Sequence, residues 1–216
     1  MFQGSSPFSD YVDTTFLLIS GISLLVLIGL IIAMVLFVVR YSRKRNPHPT
    51  NIEGNIPLEI TWTVIPLVLF MGMFYLGWRG YLQESTIPAN AIPIKVTGQM
   101  WKWTFEYPNG VATDTLYVPV RAPMKMVLHS LDVNHSMYIP AFRIKKDVIP
   151  NRANEMWFTA NQIASYDIAC AEFCGLNHAY MYTKVVSRDT VTFEAWYRTI
   201  SATQGKTYTP LTAAAR

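Results

Sequence analysis

The sequence predicts an all-β antiparallel sandwich or barrel held outside the cytoplasm by an N-terminal hairpin of two transmembrane helices. Three observations carry that reading. Two long apolar runs precede Gly80, four basic residues (Arg40, Arg43, Lys44 and Arg45) cluster between them, and from Ile92 onward short β-prone runs alternate with turns. A composition of 51% hydrophobic and 15% charged residues suits a chain that lies partly in lipid.

Thr15 to Val39 runs for 25 residues without a charge, and a helix of that length crosses a hydrocarbon core of roughly 30 Å. The second run, Ile60 to Trp78, is shorter and contains Pro66, which removes one helical hydrogen bond and predicts a kink. Trp62 and Trp78 lie at its two ends, where interfacial aromatic residues belong. The basic cluster falls in the connection, so the positive-inside rule places that loop in the cytoplasm and both termini on the opposite face. The cluster is thus a topology signal, and no nucleic-acid partner is expected. The polar stretch before Thr15 has neither a basic n-region nor a small-residue cleavage signature, so the first span is read as retained. The periplasmic face of a bacterial inner membrane is the expected location, in preference to the intermembrane side of an organelle.

The expected organisation is a helical hairpin over 1–88, an extracytoplasmic domain over 89–200, and a tail over 201–216 that packs little. Strands are predicted at Ile92–Thr97, Met100–Tyr107, Leu116–Val120, Lys125–Leu131, Glu155–Thr159 and Met181–Val186, in an antiparallel arrangement, with a hairpin turn at Asn109-Gly110.

The two cysteines cannot form a disulfide framework, but they stand in a dense donor cluster: Cys170, Cys174, His178 and Met181 follow the spacing C-x3-C-x3-H-x2-M. Two thiolates, an imidazole and a thioether are soft donors that favour copper over magnesium or calcium. A mononuclear blue-copper loop needs one thiolate, so the simplest use of two is to bridge a pair of coppers, with a further histidine from another strand. His135 is the natural candidate. A plain disulfide and a structural zinc site are the competing readings of a Cys/His cluster, and both leave His178 and Met181 unexplained. His129 is read as a strand residue and His48 as loop surface. No histidine falls within either apolar run, so neither run offers a haem ligand.

Several separated motifs resemble subunit II of haem-copper cytochrome c oxidases: Pro57-Leu-Glu59-Ile-Thr-Trp62-Thr-Val-Ile-Pro66, the aromatic run Trp101-Lys-Trp103-Thr-Phe105-Glu-Tyr107, His135-Ser-Met-Tyr-Ile-Pro140 followed by Lys146-Asp147, and the Cys/His/Met loop. The resemblance implies an all-β cupredoxin-like Greek-key domain with a binuclear copper centre, CuA. One copper would take His178 and the Glu172 backbone carbonyl, the other His135 and Met181, with Cys170 and Cys174 bridging. It further implies that the Glu172 carboxylate binds magnesium at the interface with the haem-bearing subunit I, that Trp101 accepts electrons from cytochrome c, and that Glu59 lies at the mouth of a proton channel. The whole enzyme would reduce oxygen to water and pump protons. The same ligands would serve the CuA subunit of a nitric oxide reductase, or an oxidase with another periplasmic donor.

Two departures from the family pattern stand out. Asn151 replaces the usual glycine after Pro150, a left-handed turn that asparagine tolerates, and Gly98-Gln99-Met100 differs at the opening of the aromatic run. From Glu84 onward thirteen bases face ten acids, a balance of about +3. Glu106, Asp114 and Asp132 are the carboxylates on which a basic cytochrome would dock, and Lys102 sits beside Trp101. That balance predicts a neutral or acidic donor, or one docked by apolar contact.

Overall fold

The computed structural model describes residues 4–211 except 49 and 52. It divides into two compact units: the chain up to Val12 together with everything from Tyr81 onward, and Asp13–Gly80.

The second unit consists mainly of α1 (Pro7–Arg40) and α2 (Ile56–Ser85). Both are long and apolar enough to cross a membrane. Each extends beyond the apolar run that predicts it, because polar turns such as Tyr81–Ser85 continue the helix past the hydrocarbon core. Their large apolar side chains, Leu25, Phe37 and Phe70 among them, face outward as lipid requires. At the start of α2 the Asn55 side chain accepts the Leu58 N–H at 3.1 Å, and the Glu59 carboxylate accepts the Asn55 N–H at 3.4 Å. Helix continues through Pro66.

The other unit is a sandwich of two five-stranded sheets. One has the order β3-β2-β1-β5-β8, from β1 (Ile92–Gln99), β2 (Lys102–Glu106), β3 (Ala112–Thr113), β5 (Pro123–Ser130) and β8 (Asn154–Thr159). The second has the order β4-β10-β9-β6-β7, from β4 (Leu116–Pro119), β6 (His135–Ile139), β7 (Ile144–Val148), β9 (Ser165–Cys170) and β10 (Tyr182–Arg188). The arrangement is not wholly antiparallel, as the sequence suggests: β1 pairs with β5, and β4 with β10, in parallel. Parallel neighbours need a crossover connection, which local alternation does not reveal. Strand β2 also starts later than expected, because Met100 and Trp101 form the turn that joins it to β1.

Alternate residues point inward, as the two-residue period of a strand dictates. Ile92, Ile94 and Val96 on β1, Met124, Met126 and Leu128 on β5, and Met137 and Ile139 on β6 meet in one core. Tyr107 and Val111 close the expected turn, the Tyr107 N–H donating to the Val111 carbonyl at 2.8 Å. Asn151 takes the left-handed conformation, φ 58°.

The segment after β10 differs from expectation. Thr190–Thr203 is a helix, α3, whose first turn is capped by the Asp189 side chain accepting the Thr192 N–H at 2.9 Å. Its β-branched and aromatic residues disguise a 3.6-residue spacing in which Phe193, Tyr197 and Ser201 are buried. The tail, expected to pack little, returns over this helix: Tyr208 lies against Tyr197 and beneath Arg198, its hydroxyl bonds the Glu194 carboxylate, and Leu211 is buried. The residues just before α1 and its first turns belong to the same unit. Ser6 donates to the Phe142 carbonyl at 2.9 Å, the Asn161 N–H donates to the Ser5 carbonyl at 3.0 Å, and Phe8 sits edge-on against Trp157.

Phe142 is fully buried between Phe158 and Tyr166, with ring centroids 5.0 and 4.9 Å away. Phe142→Ala should destabilise the sandwich by about 3–5 kcal/mol. Thermal unfolding of the full chain followed by tryptophan fluorescence should show a large drop in midpoint, whereas Phe173→Ala, at a site 81% exposed, should leave it nearly unchanged.

Candidate metal centre

The loop from the end of β9 to the start of β10 carries five of the six expected donors. Its two ends are tied together: the Cys170 N–H donates to the Met181 carbonyl at 3.1 Å, and the next residue, Ala171, donates to Ser136 at 2.9 Å. Gly175, at φ +114°, makes the sharp reversal that L side chains resist. A 3-10 turn, His178–Tyr180, then aims the His178 ring back towards the cysteines.

The sulfurs of Cys170 and Cys174 are 3.8 Å apart, with both residues buried. A disulfide would hold them at about 2.0 Å. Around this pair the Nδ1 of His135 lies 3.8 Å from the Cys170 sulfur, the Nδ1 of His178 lies 3.5 Å from the Cys174 sulfur, the Met181 sulfur lies 3.8 Å from the Cys174 sulfur, and the Glu172 carbonyl oxygen lies 3.3 Å from the Cys170 sulfur. Ligand atoms of His135, Cys170 and Cys174 fall within 4.8 Å of one another. All six expected donors, drawn from β6 and the loop, therefore converge. At a metal–sulfur bond of about 2.3 Å, sulfurs spaced this far apart subtend roughly 110° at a shared metal, close to tetrahedral. The soft donor set suits copper. Burial pushes the Cys174 thiol up to about 11, and the neighbouring Cys170 adds to the effect. A metal must displace that proton to bind.

Three residues missed by the sequence reading hold the site in shape. Asp132, there assigned to a docking surface, turns inward: its carboxylate accepts from the Met100 N–H at 2.7 Å and the Val133 N–H at 2.7 Å, and pairs with the His135 Nε2 at 2.8 Å. Partial burial raises its pKa, but these hydrogen bonds outweigh the cost and keep the carboxyl below its usual range. With Nε2 engaged, the His135 Nδ1 is the nitrogen that faces the sulfurs. Gly98 is the second: a Cβ there would come within 3.1 Å of the Trp103 ring and 3.3 Å of the His135 ring. Trp103 is the third, a core residue whose indole N–H also donates to the Met181 carbonyl at 3.4 Å. An aspartate three residues before a histidine is a common turn element, so nothing in the sequence marked it.

Trp101 is half-buried, and its indole N–H donates to the Cys174 carbonyl at 3.2 Å. Glu172 points its carboxylate outward, 3.4 Å from Lys145, which also pairs with Asp147. Glu59 lies in the other unit, exposed in the first turn of α2. His129 lies on β5, and His48 is an exposed loop residue.

Two family models match the chain: cytochrome c oxidase subunit II, transmembrane domain, over residues 1–76, and cytochrome c oxidase subunit II, periplasmic domain, over residues 110–188. The chain belongs to the cytochrome c oxidase subunit II family. Cytochrome c oxidase subunit 2 of Alkalihalophilus pseudofirmus is 32% identical over 199 residues, covering 86% of this chain and 58% of the relative. The Cereibacter sphaeroides protein of that name is 28% identical over 251 residues, covering 95% of this chain and 81% of the relative. The chain thus spans little more than half of the first relative's length. Among solved structures, the periplasmic domain of subunit II of cytochrome oxidase from Bradyrhizobium japonicum matches with a TM-score of 0.53 and 29% identity, over 55% of this chain and 99% of that one. The subunit II family belongs to an oxidoreductase complex and implies copper binding, which agrees with the donors found at this site.

The partner of a metal-binding histidine fixes its tautomer and ring orientation, and loss of such a partner costs about 10–100-fold in metal affinity. Asp132→Ala should weaken copper binding by that factor while leaving all six donors in place. Competition against a copper chelator measures it; unchanged affinity would show that the core alone orients His135.

Proposed function

We propose that this chain is the electron-accepting subunit of a cytochrome c oxidase, holding a binuclear CuA centre and delivering electrons to a haem-bearing subunit I that reduces oxygen to water and pumps protons. The observation that carries the reading is the unlinked 3.8 Å separation of the Cys170 and Cys174 sulfurs inside a ring of soft donors. His178 and the Glu172 carbonyl would hold one copper, His135 and Met181 the other, and the two thiolates would bridge them. Loaded in this way, the centre supplies a one-electron couple shared between two metals. Its low reorganisation cost comes from ligands that barely move.

The chain's own residues account for that rigidity. The Trp103 and Trp101 indoles pin the Met181 and Cys174 carbonyls, Asp132 locks the His135 ring, and backbone bonds close the loop at both ends. Trp101 links the surface to the centre, since a single hydrogen bond joins its half-exposed indole to the residue bearing one bridging sulfur. The Glu172 carboxylate, the hard oxygen donor of the loop, faces away from the sulfurs and suits a magnesium ion completed by subunit I. Glu59 would serve at the mouth of a proton channel; its carboxylate is exposed and makes one long hydrogen bond. Ser5, Ser6 and Phe8 are fastened to the sandwich, which supports an extracytoplasmic N-terminus. Two crossings would return the chain to that face.

Copper analysis of the purified, metal-loaded chain should give two coppers per chain and two cysteines still free of a disulfide. His135→Ala and Cys174→Ser should abolish the pair, while Met181→Leu should retain copper at a shifted potential, since thioethers tune rather than hold. One copper per chain would refute the bridged pair. In the complete oxidase, Trp101→Ala should slow reduction of the centre by its donor without changing the donor's apparent affinity. A collapse of affinity would make Trp101 a docking residue instead.

A further inference from the structure

Of the carboxylates on which a basic cytochrome would dock, Glu106 and Asp132 are already engaged inside this domain. Asp132 is turned inward onto the His135 ring and two backbone N–H groups. Glu106 is paired with Lys95 at 3.2 Å, and Glu172 with Lys145 at 3.4 Å. Asp114 is exposed, and its carboxylate accepts from the hydroxyl of the adjacent Thr115 at 3.2 Å. Lys102, next to Trp101 and exposed, has no ion-pair partner among the described residues.

Apolar side chains are also exposed beside Trp101. The Leu131 N–H donates to the Gly98 carbonyl at 3.1 Å, and Asp132 binds the N–H groups of both Met100 and Val133. These bonds press the 131–133 loop against the turn that carries Trp101. Met100, Leu131 and Val133 form the outer edge of that junction, exposed by 44%, 69% and 38%. The bonds that turn Asp132 inward thus also leave its two apolar neighbours outermost.

We infer that Met100, Leu131 and Val133 form an uncharged docking collar beside Trp101, and that its occupant is an electron-donor protein with an apolar, weakly charged rim around its redox group. The inference rests on the reading of Trp101 and the copper pair given above. Its charge argument is independent of that reading. The domain is about +3 overall, so steering by its whole field also disfavours a donor ringed by lysines.

The test uses the complete oxidase, with a strongly basic mitochondrial-type cytochrome c as probe, and follows reduction of the copper pair by its near-infrared absorption. Salt raised from about 10 to 200 mM shortens the Debye length from roughly 30 to below 10 Å. The rate should change by less than about twofold, whereas association steered by opposite charges would fall tenfold or more. Leu131→Asp, at an exposed site that the fold tolerates, should create salt dependence and raise the low-salt rate with this probe. A steep fall in the unaltered enzyme, or no effect of Leu131→Asp, would overturn the collar. Reduction by ascorbate with a small mediator separates the two levels of the argument. If the oxidised enzyme has no near-infrared band, or the mediator fails to bleach it, the copper pair fails and takes the collar with it; if the band is present and bleaches, the salt series judges the collar alone.

Discussion

Two sulfur atoms kept 3.8 Å apart and out of water are the constraint on which the rest of the sandwich depends. Left to themselves in an oxidising compartment, two cysteines four residues apart can close into a disulfide. Here Cys170 is fixed as the last residue of β9, paired with Met137 on β6, while Cys174 is held on the far side of a tight loop by the Trp101 indole. The β-sandwich supplies what a flexible loop cannot: two strands of one sheet that bring His135 and Cys170 together, and a neighbouring strand, β10, that begins beside Met181.

The electrostatics follow the same economy. A buried histidine with one ring nitrogen reserved for metal needs its other nitrogen satisfied, because an unpaired buried donor costs about 1–3 kcal/mol. Asp132 meets that need and at the same time fastens the turn that carries Trp101, so His135 and the surface tryptophan share one carboxylate. Outside the site, acids and bases are matched locally: Lys95 with Glu106, Lys125 with Glu155, Lys184 with Asp167. Such exposed pairs add little stability, but they leave few carboxylates free to attract a partner.

The ligand spacing was legible because four donors lie within twelve residues of one loop, and His135 because of the motif around it. The two spans were legible from apolar length alone. The six strands read from the sequence correspond to strands in the structure, since each shows alternation or a β-branched run. The rest depended on relations that local pattern does not carry. β6, β7 and β9 break their alternation where both faces are covered, or where polar residues such as Lys145 and Lys146 sit on an exposed edge strand. α3 is built from threonine, valine and aromatic residues that read as strand until Asp189 is seen capping it. The roles of Asp132 and Gly98 arise from contacts between segments 3 to 37 residues apart, through hydrogen bonding and the space left by a missing side chain. Charge counting placed Asp132 on the surface, whereas its carboxylate faces the His135 ring.

The central claim is that both cysteine sulfurs belong equally to two metal ions. Electron paramagnetic resonance of the copper-loaded chain tests it most directly. A single unpaired electron whose hyperfine splitting arises from two equivalent copper nuclei is the expected result. A splitting pattern from one copper nucleus would contradict it, because it would mean that Cys170 and Cys174, despite their placement, do not bridge.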